Sequence, residues 1–169
     1  EAIEYANENL FAEGKKNPDL TGMGTTVVAA SIIDNILHVF NVGDSRCYIL
    51  DEHGISQITK DHSLVEVLVS KGEITRESDE YKKNKSKITR AVGAEEKVLI
   101  DSFEVELTGN EYVLLCSDGL TNMVDDGKIF NIISSGTGVR SSAKRLIEEA
   151  NLSGGSDNIS ILLIDMNAR

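Results

Sequence analysis

The sequence predicts an α+β fold, in which antiparallel strands come in consecutive runs and helices lie before, between and after them. Three observations carry this. Residues 25–58 divide into short β-prone runs joined by short turns, a meander rather than an alternating βαβ unit. Helical periodicity marks the start of the chain and returns between residues 125 and 151. Several strand runs are apolar along their whole length, which implies sheets covered on both faces. Sheets stacked face to face with helices outside are one arrangement that satisfies this pattern.

Taken in order, Glu1 to Phe11 is helical, with apolar residues at three- and four-residue intervals, and Gly14 offers a stop. No Ser, Thr, Asp or Asn cap precedes its first turn and there is no initiator methionine, so the reading expects a segment missing upstream. Thr25–Ile33 and Ile36–Val42 read as strands around a two-residue hairpin turn, Asp34-Asn35. Gly43-Asp44-Ser45 interrupts, Arg46–Leu50 resumes, and Asp51–Gly54 turns into Ile55–Ile58. Ser63 to Lys71 is a short amphipathic helix ended by Gly72, whereas Glu73 to Lys87 is polar, charge-dense and without period, a mobile surface excursion. Strands are expected at Val98–Leu107, Tyr112–Cys116 and Ile159–Ile164, and helices at Asp125–Ile133 and Ser141–Asn151.

Composition narrows the function class. With 169 residues, 40% hydrophobic and 27% charged, the chain is sized for one domain with a sizeable core, read as a single domain over 1–169. A formal net charge of −11 argues against nucleic acid or an anionic membrane surface as partner. There is no signal-peptide pattern and no apolar run long enough to span a bilayer. Cys47 and Cys116 sit in apolar runs without metal-type spacing and read as buried thiols in a reducing compartment, which points to the cytoplasm. His38, His53 and His62 form no zinc-like cluster.

Three aspartates are placed to do chemistry. Asp118 follows the apolar strand 112–116 and precedes Gly119; Asp157 occupies the turn Ser153–Asn158 before the last strand; Asp44 lies in Gly43-Asp44-Ser45 between strands. Each is a short carboxylate at a strand end beside glycine, the kind of hard oxygen donor that divalent cations take. Asp beside Gly or Asn is equally a common turn residue, and both readings stand on spacing alone. Asp61-His62 could pair as acid and base, but a lone histidine after a strand reads more simply as a surface or capping residue. Ser117 lacks the flanking glycines of a nucleophile elbow. Gly22-Met23-Gly24 leads into a strand rather than a helix, so it reads as a tight turn and not a phosphate loop.

In order along the chain, Thr21–Thr26, Val42–Arg46, Lys60–Ser63, Ile88–Gly93, Leu115–Thr121 and Ser156–Ser160 resemble the motifs of the type-2C (PPM) metal-dependent serine/threonine protein phosphatases. Each motif is weak alone, and six in family order are specific. The resemblance implies a four-layer αββα sandwich of two antiparallel sheets flanked by antiparallel helices, here incomplete at the N-terminus. It implies two catalytic manganese or magnesium ions and a weaker third, and direct attack of a metal-activated water on phosphoserine or phosphothreonine. By residue, Asp118 and Asp157 match metal-ligand aspartates, and Asp44 matches the one that holds the third metal with Asp118. Gly119 and Asn158 match supporting turn residues, and about 64–87 matches the mobile flap.

The resemblance covers the C-terminal two-thirds of such a domain. The family's phosphate-binding arginine and its metal-bridging aspartate are not in this chain, and in the flap Lys82-Lys83 and Ser86 stand where relatives often carry His-Pro and Asn. The implied partners are phosphorylated proteins, substrates of a bacterial serine/threonine kinase and the kinase itself. Segment 88–93 and the full-length flap favour this kinase-opposing type over the phosphatases that act on anti-sigma-factor antagonists. A non-catalytic regulatory module on the same fold is the other reading. For the 169 residues alone the expectation is little or no activity, with exposed sheet edges that favour self-association.

Overall fold

The computed structural model describes residues 1–167, so the last two residues of the 1–169 reading lie outside the described part. Its strands are β1 (Val27–Ile33), β2 (Ile36–Val42), β3 (Arg46–Asp51), β4 (Gly54–Gln57), β5 (Asp101–Glu106), β6 (Tyr112–Cys116) and β7 (Ile161–Asp165). Its helices are α1 (Ala2–Lys16), α2 (Leu64–Ser70), α3 (Asp79–Asn84), α4 (Asp118–Thr121), α5 (Asp126–Ile133) and α6 (Val139–Leu152). The strands form two antiparallel sheets, ordered β1-β2-β5 and β4-β3-β6-β7. The chain divides into two compact units, one of Glu1–Val27, Phe40–Asp44 and Lys60–Asp101, the other of Val28–Val39, Ser45–Thr59 and Ser102 onward.

The second unit holds the sandwich. In a strand, successive side chains point to opposite faces, and β3 and β6 are apolar on both. Cys47 and Ile49 of β3 with Val113 and Leu115 of β6 pack against Leu37, Val39, Phe103 and Val105 of the three-stranded sheet. Tyr48, Leu50, Leu114 and Cys116, on the opposite face, pack against Leu120, Ile129, Ile133 and Leu146 from the helices. The expected layering of stacked sheets with helices outside is therefore present here. β3 and β6 run antiparallel with Tyr48 opposite Leu114, and β6 and β7 with Leu114 opposite Leu163. Burying a leucine or isoleucine in such a core contributes about 1.5–3 kcal/mol. Cys47 and Cys116 are buried on opposite faces and form no disulfide, and burial pushes the Cys47 thiol up to about 12. Tyr48 keeps its hydroxyl satisfied by accepting from Arg46 and donating to Asp126.

The first unit is built around close approaches. Asn7 of α1 is buried, accepts from the Gly93 N–H at 2.7 Å and donates to the carbonyls of Glu95 and Glu96. Gly93 has φ +92, and a Cβ there would lie 2.8 Å from Leu10, so the Ile88–Gly93 motif ends in glycine for a packing reason. Gly24 packs somewhat less tightly, with the Val92 carbonyl 3.1 Å from where its Cβ would stand, and Thr25 bridges to Val92 beside it.

Some boundaries differ from the sequence expectation. α1 continues through Gly14 to Lys16, because an interior glycine costs a helix only about 1 kcal/mol, whereas Pro18 forces Asn17 into extended backbone and ends it. The stretch after Gly72, read as lacking period, contains α3. Its helix rests on an N-cap, Ser78 accepting from the Tyr81 N–H, and on acids in the first turn and lysines in the last, none of which gives an apolar period. β5 starts at Asp101 rather than Val98, with Leu99 71% exposed. β7 starts at Ile161, because Ser160 is engaged by Ser117. Asp34 and Asn35 both adopt positive φ, the expected hairpin turn.

Candidate functional site

Asp118 stands at the first position of α4, immediately beyond β6, with Ser117 as the N-cap residue. Ser117 joins this turn to the one carrying Asp157. Its backbone N–H donates to the Ser160 carbonyl at 3.0 Å, its hydroxyl accepts from the Ser160 N–H at 2.9 Å, and the same hydroxyl donates to the Asn158 carbonyl at 3.2 Å. Gly119 completes the junction, since a Cβ there would sit 2.2 Å from the Asn158 oxygen. Among the sequence-nominated residues, the structure thus brings Asp118, Gly119, Asp157 and Asn158 into one pair of adjoining turns. Asp118 Oδ2 accepts from Asn122 Nδ2 at 2.9 Å, and the exposed Asp157 Oδ1 accepts from the Asn158 N–H at 2.7 Å.

Asp44 belongs to the other unit and is buried. Its turn is fixed from both sides. Gly43 has φ +108 and a Cβ would fall 2.4 Å from Thr26 Cγ2, so only glycine fits. The Gly43 carbonyl accepts from the His62 N–H at 2.9 Å and from Asn41 Nδ2 at 3.2 Å. Asn41, fully buried, also donates to the Lys60 carbonyl, and its Oδ1 has no partner among the described residues.

His62 departs from its sequence reading. It is not a surface residue: its side chain is 6% exposed and faces Asp101. Its Nδ1 accepts from the Gly43 N–H at 3.0 Å, and its Nε2 lies 3.1 Å from both Asp101 Oδ2 and Arg90 Nη1. Arg90 donates to Asp101 Oδ1 at 2.6 Å. Burial acts to raise the Asp101 carboxyl, but the hydrogen bonds from His62 and Arg90, with the Arg90 charge, outweigh it and hold it below its ordinary value. Sequence reasoning missed this cluster. Arg90 lies inside a quoted motif, but Asp101 carried no signal.

Hard divalent cations bind through several oxygen donors. Carboxylates on the locked turns at Asp118 and Asp157 are of that type, and the absence of a side chain at Gly119 lets the Asn158 carbonyl pass between the turns, so the donor chemistry fits. The donor number is short: among the described residues no three His, Cys, Asp or Glu side chains gather as one metal site.

The two carboxylate turns, one after β6 and one before β7, are locked together through Ser117, and comparison with known proteins supplies the family. Residues 2–159 match the family Protein phosphatase 2C, and the chain belongs to that family. It is 41% identical over 165 residues to the serine/threonine phosphatase stp of Listeria welshimeri, covering 98% of this chain and 66% of that protein. The structure is similar to serine/threonine phosphatase Stp1 from Staphylococcus aureus, with TM-score 0.92 and 34% identity over 96% of this chain and 64% of that one. It is also similar to the catalytic domain of the serine/threonine protein phosphatase PstP in complex with two manganese ions, with TM-score 0.80 and 37% identity over 94% of this chain and 66% of that one. The chain therefore spans just under two-thirds of the length of these relatives.

Proposed function

We propose that this chain is the larger part of a metal-dependent protein phosphatase that hydrolyses phosphoserine and phosphothreonine on proteins. The observation that carries the reading is the junction of the Asp118 and Asp157 turns through Ser117 and Gly119, in a chain whose family match runs from residue 2 to 159. In this reading Asp118 and Asp157 hold the catalytic cations and Asp44 a further one, with manganese or magnesium as the metal. When bound, such cations polarise the phosphoryl group and the attacking water. The protein's own residues orient the donors: Ser117 and the Asn158 carbonyl fix the turns, Asn122 holds Asp118 Oδ2, and Gly119 leaves the room both need. Segment 64–87 serves as the flap of one phosphatase domain. The substrates are phosphoproteins of a bacterial serine/threonine kinase, including the kinase, in the cytoplasm. No helix among the described residues is long and apolar enough to cross a membrane.

Two carboxylates do not fill the shell of two hard cations, so the 169 residues alone are expected to hydrolyse a phosphothreonine peptide slowly or not at all with manganese. Joined to the part of the Listeria welshimeri phosphatase that they do not match, they are expected to be active, and Asp118→Ala or Asp157→Ala in that chimera to lower the rate at least ~100-fold. A chimera that binds manganese yet stays inert would favour the non-catalytic module.

A further inference from the structure

Every polar group of His62 is engaged within the first unit, and the engagements point one way. Its main-chain N–H and its Nδ1 take the carbonyl and the N–H of Gly43. Its carbonyl accepts from the Thr89 N–H at 2.7 Å, and its Nε2 faces Asp101, which Arg90 also grips. Nδ1 can accept from Gly43 only if it carries the lone pair, which puts the ring proton on Nε2, aimed at Asp101 Oδ2. The ring is therefore fixed at both nitrogens, by a main-chain donor on one side and a carboxylate on the other.

His62 also stands at the root of the 64–87 segment. Ser63, the next residue, caps α2 and bridges to Ile88, while the Leu64 N–H donates to the Lys87 carbonyl at 2.8 Å. The two arms of that segment close on His62, and His62 closes on the Gly43–Asp44 turn.

We infer that His62 is a positioning residue which, oriented by Asp101 and Arg90, sets the Gly43–Asp44 turn and ties it to the root of the 64–87 segment. It touches no reacting atom. Its effect is to keep the buried Asp44 carboxylate in one place by holding both backbone groups of the residue before it. What Asp44 then binds rests on the phosphatase reading; the role of His62 does not.

The two ring nitrogens separate under substitution, because an asparagine amide oxygen mimics Nδ1 whereas glutamine reaches the Nε2 position. Amide hydrogen exchange of Gly43 in the whole chain, referred to Leu114 in the sandwich core, is the readout. Losing one net hydrogen bond corresponds to roughly fivefold in exchange, so His62→Gln is expected to speed Gly43 exchange by about that factor or more, and His62→Asn by less than about twofold. Asp101→Asn, which leaves Gly43 untouched, is expected to speed it as well by loosening the ring. Equal exchange in the Asn and Gln variants, or an Asp101→Asn protein indistinguishable from wild type, overturns the inference. Manganese titration of the same samples, read as broadening of the Asp44 amide, is expected to need more metal in His62→Gln than in wild type. Absence of broadening in wild type refutes cation binding at Asp44 and leaves the exchange result to judge His62.

Discussion

Gly119 shows how one residue can be required by packing rather than by backbone conformation. Its φ is not in the left-handed region, but the Asn158 carbonyl passes 2.2 Å from where a Cβ would stand. No rotamer relieves that contact, so the turns at Asp118 and Asp157 would have to separate. Gly119→Ala is expected to destabilise the chain by about 1–3 kcal/mol, as overpacking does, read as a lower urea midpoint with unchanged slope. An unchanged midpoint would mean that the junction is looser than drawn. Asp118, by contrast, has a helix-start position and an Asn122 partner that any capping aspartate would enjoy. Its turn chemistry and its candidate cation chemistry are compatible, which is why spacing alone left both open.

At the level of elements, the β5–β6 connection depends on one buried carboxylate. Glu111 accepts from the Thr108 N–H at 2.8 Å and hydroxyl at 2.7 Å, and from the N–H groups of Gly109 and Asn110. Burial acts to raise its pKa, but the hydrogen bonds from Thr108 and its neighbours prevail and hold it below its ordinary value. A lowered folded pKa contributes stability above the ordinary carboxylate range, and that contribution fades as pH falls through the folded value. Glu111→Gln is therefore expected to cost about 1–3 kcal/mol at neutral pH. The gap to wild type should narrow in acid, with urea midpoints across the range as the check. A gap of constant size would show that the charge of Glu111 is irrelevant. α3 makes the complementary point, since a cap and end charges hold a helix for which no apolar stripe exists.

Across the whole molecule, the two sheets end in β1, β5, β4 and β7, and these edges carry apolar surface. Leu162 near the start of β7 is 53% exposed and Ile33 at the end of β1 is 58% exposed. An edge strand presents unpaired backbone groups to any chain that can add a strand, and apolar side chains favour the addition. The 169-residue chain is expected to self-associate at micromolar concentration, and Leu162→Lys to shift it toward monomer in light scattering after size exclusion. A wild-type chain that stays monomeric and melts cooperatively would show these edges to be protected.

Much of this protein was determined by local sequence alone. The meander over residues 25–58, the Asp34-Asn35 turn and the strand Tyr112–Cys116 follow from short β-prone apolar runs and from turn residues that act over a few positions. The motif order likewise made the family legible, and it nominated Asp118, Gly119, Asp157 and Asn158, which the fold sets in adjoining turns. Tertiary structure decided what depends on partners far along the chain. The seat of Gly119 under Asn158, the close fit of Gly93 against Leu10 and the burial of His62 between Gly43 and Asp101 each join residues 39 or more apart through the fold or across its turns, apart from the 19-residue step from Gly43 to His62. Periodicity cannot report such pairings, because a hydrogen bond or a steric seat leaves no pattern in either segment until the chain has brought the two together.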